Sequence, residues 1–143
     1  KIGQQLPRAE AISRYKALQK KYCDEFVSIA EKDPAGWPGF QSLFYMVGLC
    51  GDDAESLARL KKGCDLLLQH HADERDLASV VTQLGRRSED LVREFFERVV
   101  EVSPHDEVRF AASFSLASIS RPLRRLGSSG GCSTSRRLFF ERQ

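Results

Sequence analysis

SPHDEVRFAASFSLASIS, residues 103–120, is the stretch on which the fold turns. Ser103 suits an N-cap, Pro104 the first helical position, and Asp106 and Glu107 the positive end of a helix dipole. After a lone arginine, Arg109, small and apolar residues dominate. Val108, Ala111, Ala112, Ser115, Leu116 and Ile119 fall on one face at helical spacing, and Phe110, Phe114 and Ala117 on another. A helix with two apolar faces, and Ala and Ser where backbones approach closely, is expected to pack between neighbours. The stretch reads as the last packed helix of an array, with its acids as caps and Arg109 paired to Asp106 three residues earlier.

Upstream, the chain breaks into five more helical segments. After Pro7, Ala11, Tyr15, Leu18, Tyr22, Phe26 and Ile29 recur every three or four residues, the pattern of one face of a long amphipathic helix ending at Asp33-Pro34. GWPGFQSLFYMVGLC (36–50) is apolar all round and is expected to be central, with Gly36 and Gly39 shaping the turn around Trp37-Pro38. Asp52 and Asp53 cap the next helix, with Glu55 placed as in a capping box and Leu57, Leu60, Cys64, Leu67 and His71 as its inward stripe. Asp73 is expected to cap a fourth helix carrying Leu77, Val80, Val81 and Leu84, which Gly85 stops. Ser88 opens a fifth with a wide stripe: Leu91, Val92, Phe95, Phe96, Val99 and Val102. No run has the period of a strand.

Short links favour antiparallel neighbours, and helix starts recurring in the low-to-mid thirties suggest stacked hairpins. The expected fold is all-α: about six helices in antiparallel helical hairpins, stacked as a short α-α superhelix over residues 1–120. From Arg121 the composition changes to Pro, Ser, Gly and Arg, which predicts a disordered basic tail over 121–143.

The net charge of +2 hides this division. Residues 1–120 carry 16 Lys+Arg against 19 Asp+Glu, whereas the tail carries six arginines and one glutamate. Arg121, Arg124, Arg125, Arg136, Arg137 and Arg142 suit weak, sequence-independent contacts with phosphates or acidic headgroups, which does not make a specific nucleic-acid binder. RRLFF (136–140) has the form of a short docking peptide of the kind cyclins recognise. The longest apolar run, LFYMVGLC (43–50), is far too short to span a bilayer. Lys1 in place of an initiator Met is expected of a processed product or an excised fragment.

Chemistry-bearing patterns are sparse. Cys23, Cys50, Cys64 and Cys132 stand far apart, without the close pairing of a zinc or redox motif, and three lie on apolar helical stretches where Cys behaves as a small hydrophobe. His70 and His71 are adjacent, so on a helix they point about 100° apart and make a poor metal pair. The acidic pairs at helix starts are explained as caps, no Gly-rich phosphate loop occurs, and no serine sits in a nucleophile turn. The expectation is therefore no cofactor and no catalysis, with an interaction or scaffold role toward a protein or peptide partner. Trp37, Phe40 and Phe44 are the candidate groove residues, on the logic that exposed aromatics seat partners.

Two resemblances add to this reading. DEVRFAASFSLASI (106–119) resembles the second helix of a HEAT-type repeat, and the hairpin pattern is similar to that of HEAT and tetratricopeptide domains. More broadly, YKALQKKYCDEFVSIAEKDPA (15–35), CDLLLQHHADERDLASVVTQLG (64–85) and REFFERVVEVSPHDEVRFAASFSLA (93–117) resemble the helical region that precedes the redoxin domain in some bacterial thioredoxin-like proteins. That resemblance covers roughly residues 14–119 and brings no catalytic residue. It implies an accessory helical domain, an exported setting and a redoxin domain as a partner, while the strands and the Cys-x-x-Cys of the redoxin domain itself do not occur in this chain.

Overall fold

A computed structural model of the chain describes residues 7–120; the predicted disorder of 121–143, Cys132, the RRLFF segment and all six tail arginines lie outside the described residues. Six helices follow one another: α1 (Arg8–Lys32), α2 (Trp37–Leu49), α3 (Ala54–His70), α4 (Leu77–Leu84), α5 (Asp90–Val102) and α6 (Asp106–Ser120). No strand occurs among the described residues, so the all-α expectation holds. Packing sorts the helices into two layers. The odd ones form one, with α3 between α1 and α5; the even ones form the other, with α4 between α2 and α6. The layers are joined within the hairpins α1/α2 and α5/α6, and by α2 against α3, whereas the backbones of α3 and α4 stand apart. The even helices begin at 37, 77 and 106, an uneven spacing.

The core lies between the layers and is filled from the stripes read off the sequence. Leu60, Cys64 and Leu67 of α3, Leu77, Val80, Val81 and Leu84 of α4, and Val92, Phe95, Phe96 and Val99 of α5 are all buried. Val108, Ala112 and Ser115 of α6 join them, with Ala111, Leu116 and Ile119 half-buried alongside. Each large side chain so buried contributes about 1.5–3 kcal/mol. On α6 the second apolar face finds no neighbour among the described residues: Phe110 and Phe114 stack on each other and stay 73% and 66% exposed.

α1 departs from its pattern. The stripe Tyr15, Leu18, Tyr22 and Ile29 is exposed, and the residues that enter the core are Cys23, Val27 and Ala30, about a third of a turn away. At 1.5 Å per residue, α1 is about 37 Å long and α2 about 20 Å, so the first turns of α1 overhang the hairpin. No residue from Arg8 to Tyr22 is buried. Close packing of the seated half against α2 suits small side chains, which leaves the bulky tyrosines on the free edge. Ion pairs Lys20–Glu55 (2.9 Å), Asp24–Arg59 (2.6 Å) and Glu31–Lys62 tie that half to α3.

Helix boundaries obey local hydrogen bonding. Asp53 caps α3, accepting from the Ser56 backbone N–H (3.0 Å) and hydroxyl (2.7 Å), which holds its carboxyl below the usual range. Glu55 closes no capping box; its hydrogen bond and charge pairing with Lys20 hold its pKa low. Asp73 caps nothing either. α4 starts four residues later, behind Asp76, because residues 71–76 form successive turns. α5 starts behind Glu89 and not at Ser88. Gly85 has φ −61°, so it is not a left-handed stop; its missing side chain admits the Ser115 hydroxyl of α6. Gly39 is the least forgiving case: a Cβ there would be driven into the Asp33 backbone carbonyl at the α1–α2 turn.

Long-range bonds fasten the two ends of the stack. At one end Arg87, 16% exposed, donates to the carbonyls of Cys50 (2.8 Å) and Gly51 (2.7 Å) and pairs with Glu89 (2.7 Å). At the other, His105 Nε2 meets the Asp73 carbonyl oxygen at 2.7 Å, and Phe40 packs edge-on against His71.

Two substitutions test this frame. Gly39→Ala should lower unfolding free energy by about 2 kcal/mol, because the opposing atom is backbone and cannot swing away. Arg87→Ala should cost about 2–3 kcal/mol by leaving two half-buried carbonyls of the α2–α3 link without their charged donor. Urea melts followed by circular dichroism measure both, and a loss within error of zero for either contradicts the corresponding contact.

Candidate functional site

α4 is the shortest helix and buries a single side, Leu77, Val80, Val81 and Leu84. Its other side presents Asp76, Ser79, Gln83 and Arg86, spaced i, i+3, i+7 and i+10, with Thr82 beside them. Small Ser and Thr leave this strip low, and the flanking even helices raise aromatic side chains on both sides of it. Trp37, Phe44 and Tyr45 come from α2, and Phe110 and Phe114 from α6.

The result is a chain of three adjoining depressions. The first, about 200 Å³, is lined by Trp37, Phe40, Gln41, Phe44, Tyr45, Asp76 and Ser79. The second, about 360 Å³, shares Phe44 and Ser79 with the first and adds Thr82, Gln83 and Arg86. Thr82 and Arg86 continue into the third, about 320 Å³, where Phe110, Ala111 and Phe114 form the far wall. The trough follows α4 from its start to just past its end.

Of the three groove residues expected from sequence, all line the first depression, in different roles. Trp37 is 52% exposed and stacks on Phe40 at 5.3 Å between ring centroids. Phe40 itself is buried, wedged between Trp37 and His71, and forms the floor. Phe44 is half-buried and meets Tyr45 edge-on, and Tyr45 in turn stacks on Phe26 of α1. This relay of rings fixes the wall to the first hairpin. The residues missed from sequence are Ser79, Thr82, Gln83 and Arg86. Their only signal is the helical spacing opposite the Leu77–Leu84 stripe.

Electrostatically the trough is lightly and asymmetrically charged. Asp76 lies at the Trp37 end and Arg86 at the Phe110 end, and neither makes an ion pair or side-chain hydrogen bond among the described residues. Gln83 Oε1 is buried without a partner. Arg109, by contrast, is paired with Asp106, as its spacing predicted.

The remaining candidates are structural. His71 is buried with neither ring nitrogen paired, against Phe40. His70 points elsewhere, and no cluster of three His, Cys, Asp or Glu residues placed to hold a metal ion occurs among the described residues. Cys23, Cys50 and Cys64 are free and buried, and Cys50 Sγ approaches Met46 Sδ at 3.2 Å. Burial pushes the Cys50 and Cys64 thiols up to about 12 and raises Cys23 as well. Such thiols are inert hydrophobes. No helix among the described residues is long and apolar enough to cross a membrane.

No protein-family model, curated protein or solved structure matches this chain. Its function has to be argued from the trough itself.

The thiols give a test of the core. With native pKa values raised from 9.0, the folded state holds protons that the unfolded chain has released. Stability should be unaffected by these thiols below pH 9 and should fall between pH 9 and about 12. Cys50→Ala combined with Cys64→Ala should flatten that alkaline loss in urea melts run across the window, and an unchanged slope would show that the fold does not shift the titration of these thiols.

Proposed function

We propose that this chain is a non-enzymatic helical-hairpin interaction module whose α2–α4–α6 face binds a peptide segment of a protein partner. The observation that carries this reading is the continuity of the three depressions along α4, walled by five aromatic side chains from α2 and α6. Exposed Trp, Phe and Tyr around a polar strip supply large contact area at small entropy cost, the composition of binding hot spots. On this reading the chain stands beside the HEAT and tetratricopeptide modules that its hairpin pattern resembles in sequence.

Trp37 is the only tryptophan in the chain and stands in the wall, so it reports on the site directly. Peptides selected from a random display library on the full chain should shift Trp37 emission to the blue on binding. Phe44→Ala together with Phe110→Ala should weaken them by about ten-fold or more, since truncating central aromatic anchors costs above 1 kcal/mol each. Selected peptides that bind both forms equally would place recognition away from this face.

A further inference from the structure

We infer that the segment bound in the trough carries a carboxylate for Arg86 and, toward its other end, a cationic side chain for Asp76 and the Trp37 ring. The inference rests on the peptide-docking reading above and names the chemistry of the partner. Asp76 and Arg86 bracket α4, one just before its start and the other just past its end; they line opposite ends of the same trough, and each lacks a partner among the described residues. Elsewhere many charged side chains near a neighbour have found one, such as Arg59 with Asp24 and Arg87 with Glu89. Arg86 stands between Phe44 on one side and Phe110 and Phe114 on the other. Aromatic walls reduce the water around a guanidinium, so a carboxylate arriving there meets a stronger field than on open surface.

A phosphate is the poorer match. Phosphate-binding sites gather several cations, and Arg86 is the only cation lining the trough. At the opposite end a Lys or Arg side chain would gain both the Asp76 carboxylate and the exposed face of Trp37.

The separation sets a spacing rule. The eight residues of α4 rise about 12 Å, which an extended peptide covers in roughly four residues, and the flanking turns add about one more. Apolar side chains between the two charges would then fall against Phe44 and the Phe110–Phe114 pair.

The test uses the full chain and the display-selected peptides, with Trp37 emission as the readout. Selected sequences should share a basic and an acidic residue roughly four or five apart. Arg86→Glu should weaken them about ten-fold, and a peptide whose acidic residue is changed to Lys should recover binding to that variant. Arg86 is exposed and makes no contact that the fold uses, so the variant is expected to keep the wild-type circular dichroism. If peptides bind and shift Trp37 but Arg86→Glu changes affinity by less than about two-fold, the charge rule is overturned and the docking reading stands. If no peptide shifts Trp37 emission, the docking reading falls and this inference with it.

Discussion

One guanidinium holds the hairpins in register. In a stack of short-linked hairpins, the α2–α3 and α4–α5 links come to the same end, and Arg87 spans them by donating to the carbonyls of Cys50 and Gly51. Those carbonyls lie just past α2, whose last carbonyl, that of Leu49, accepts instead from Gln19. Arg87 therefore fixes the chain where it leaves α2, from another hairpin. Burial alone would push the Glu89 carboxyl up, but the hydrogen bond and charge of Arg87, together with backbone N–H donors, more than offset this and keep it below its usual range. Exposed pairs such as Lys20–Glu55 are screened by solvent and add little, whereas a charged donor on two half-buried carbonyls is worth more, and it fixes orientation as well. The opposite end is fixed differently. His105 reaches the Asp73 carbonyl, and Phe40 closes on His71.

This division explains what the sequence could and could not tell. Periodicity is a local signal, and it located the six helices and the buried stripes of α3 to α6 because each is covered by a neighbour in the ordinary way. On α1 the same signal misleads. Tyr15, Leu18 and Tyr22 have helical spacing, yet whether such a stripe is buried depends on another element being there to cover it. Asp73 and Gly85 show a second limit. Both fit the residue preferences of a cap and a stop. The turns over 71–76 and the approach of Ser115 give them other roles, set by residues far along the chain. Arg87 had no local signal for bridging the links, since the carbonyls it reaches lie more than 35 residues away.

The candidate site was legible in part for the same reason. Trp37 and Phe44 stand out in a chain with one Trp, and the second apolar face of α6 was visible in its spacing. What joins them is α4, whose Ser79, Thr82 and Arg86 look like an ordinary solvated face until α2 and α6 are placed beside it. Phe40, chosen on the same grounds as its neighbours, turned inward because the close approach at Gly39 brings the first turn of α2 against the α1–α2 link and points position 40 at His71.

The weakest part of the packing and the candidate site have a common origin. α4 is only eight residues long, leans on α2 and α6, and hardly meets the backbone of α3. A longer helix with bulky outward residues would fill the space between the flanking aromatics and stabilise the even layer. Instead its outer side carries Ser, Thr and Gln, which leave Phe110 and Phe114 exposed and Gln83 Oε1 unpaired. Both are costs to the isolated chain, about 1–3 kcal/mol for the orphaned acceptor alone. A bound segment lying over α4 would cover the phenyl rings. The arrangement is thus better suited to a fold completed by a ligand than to one optimised to stand alone.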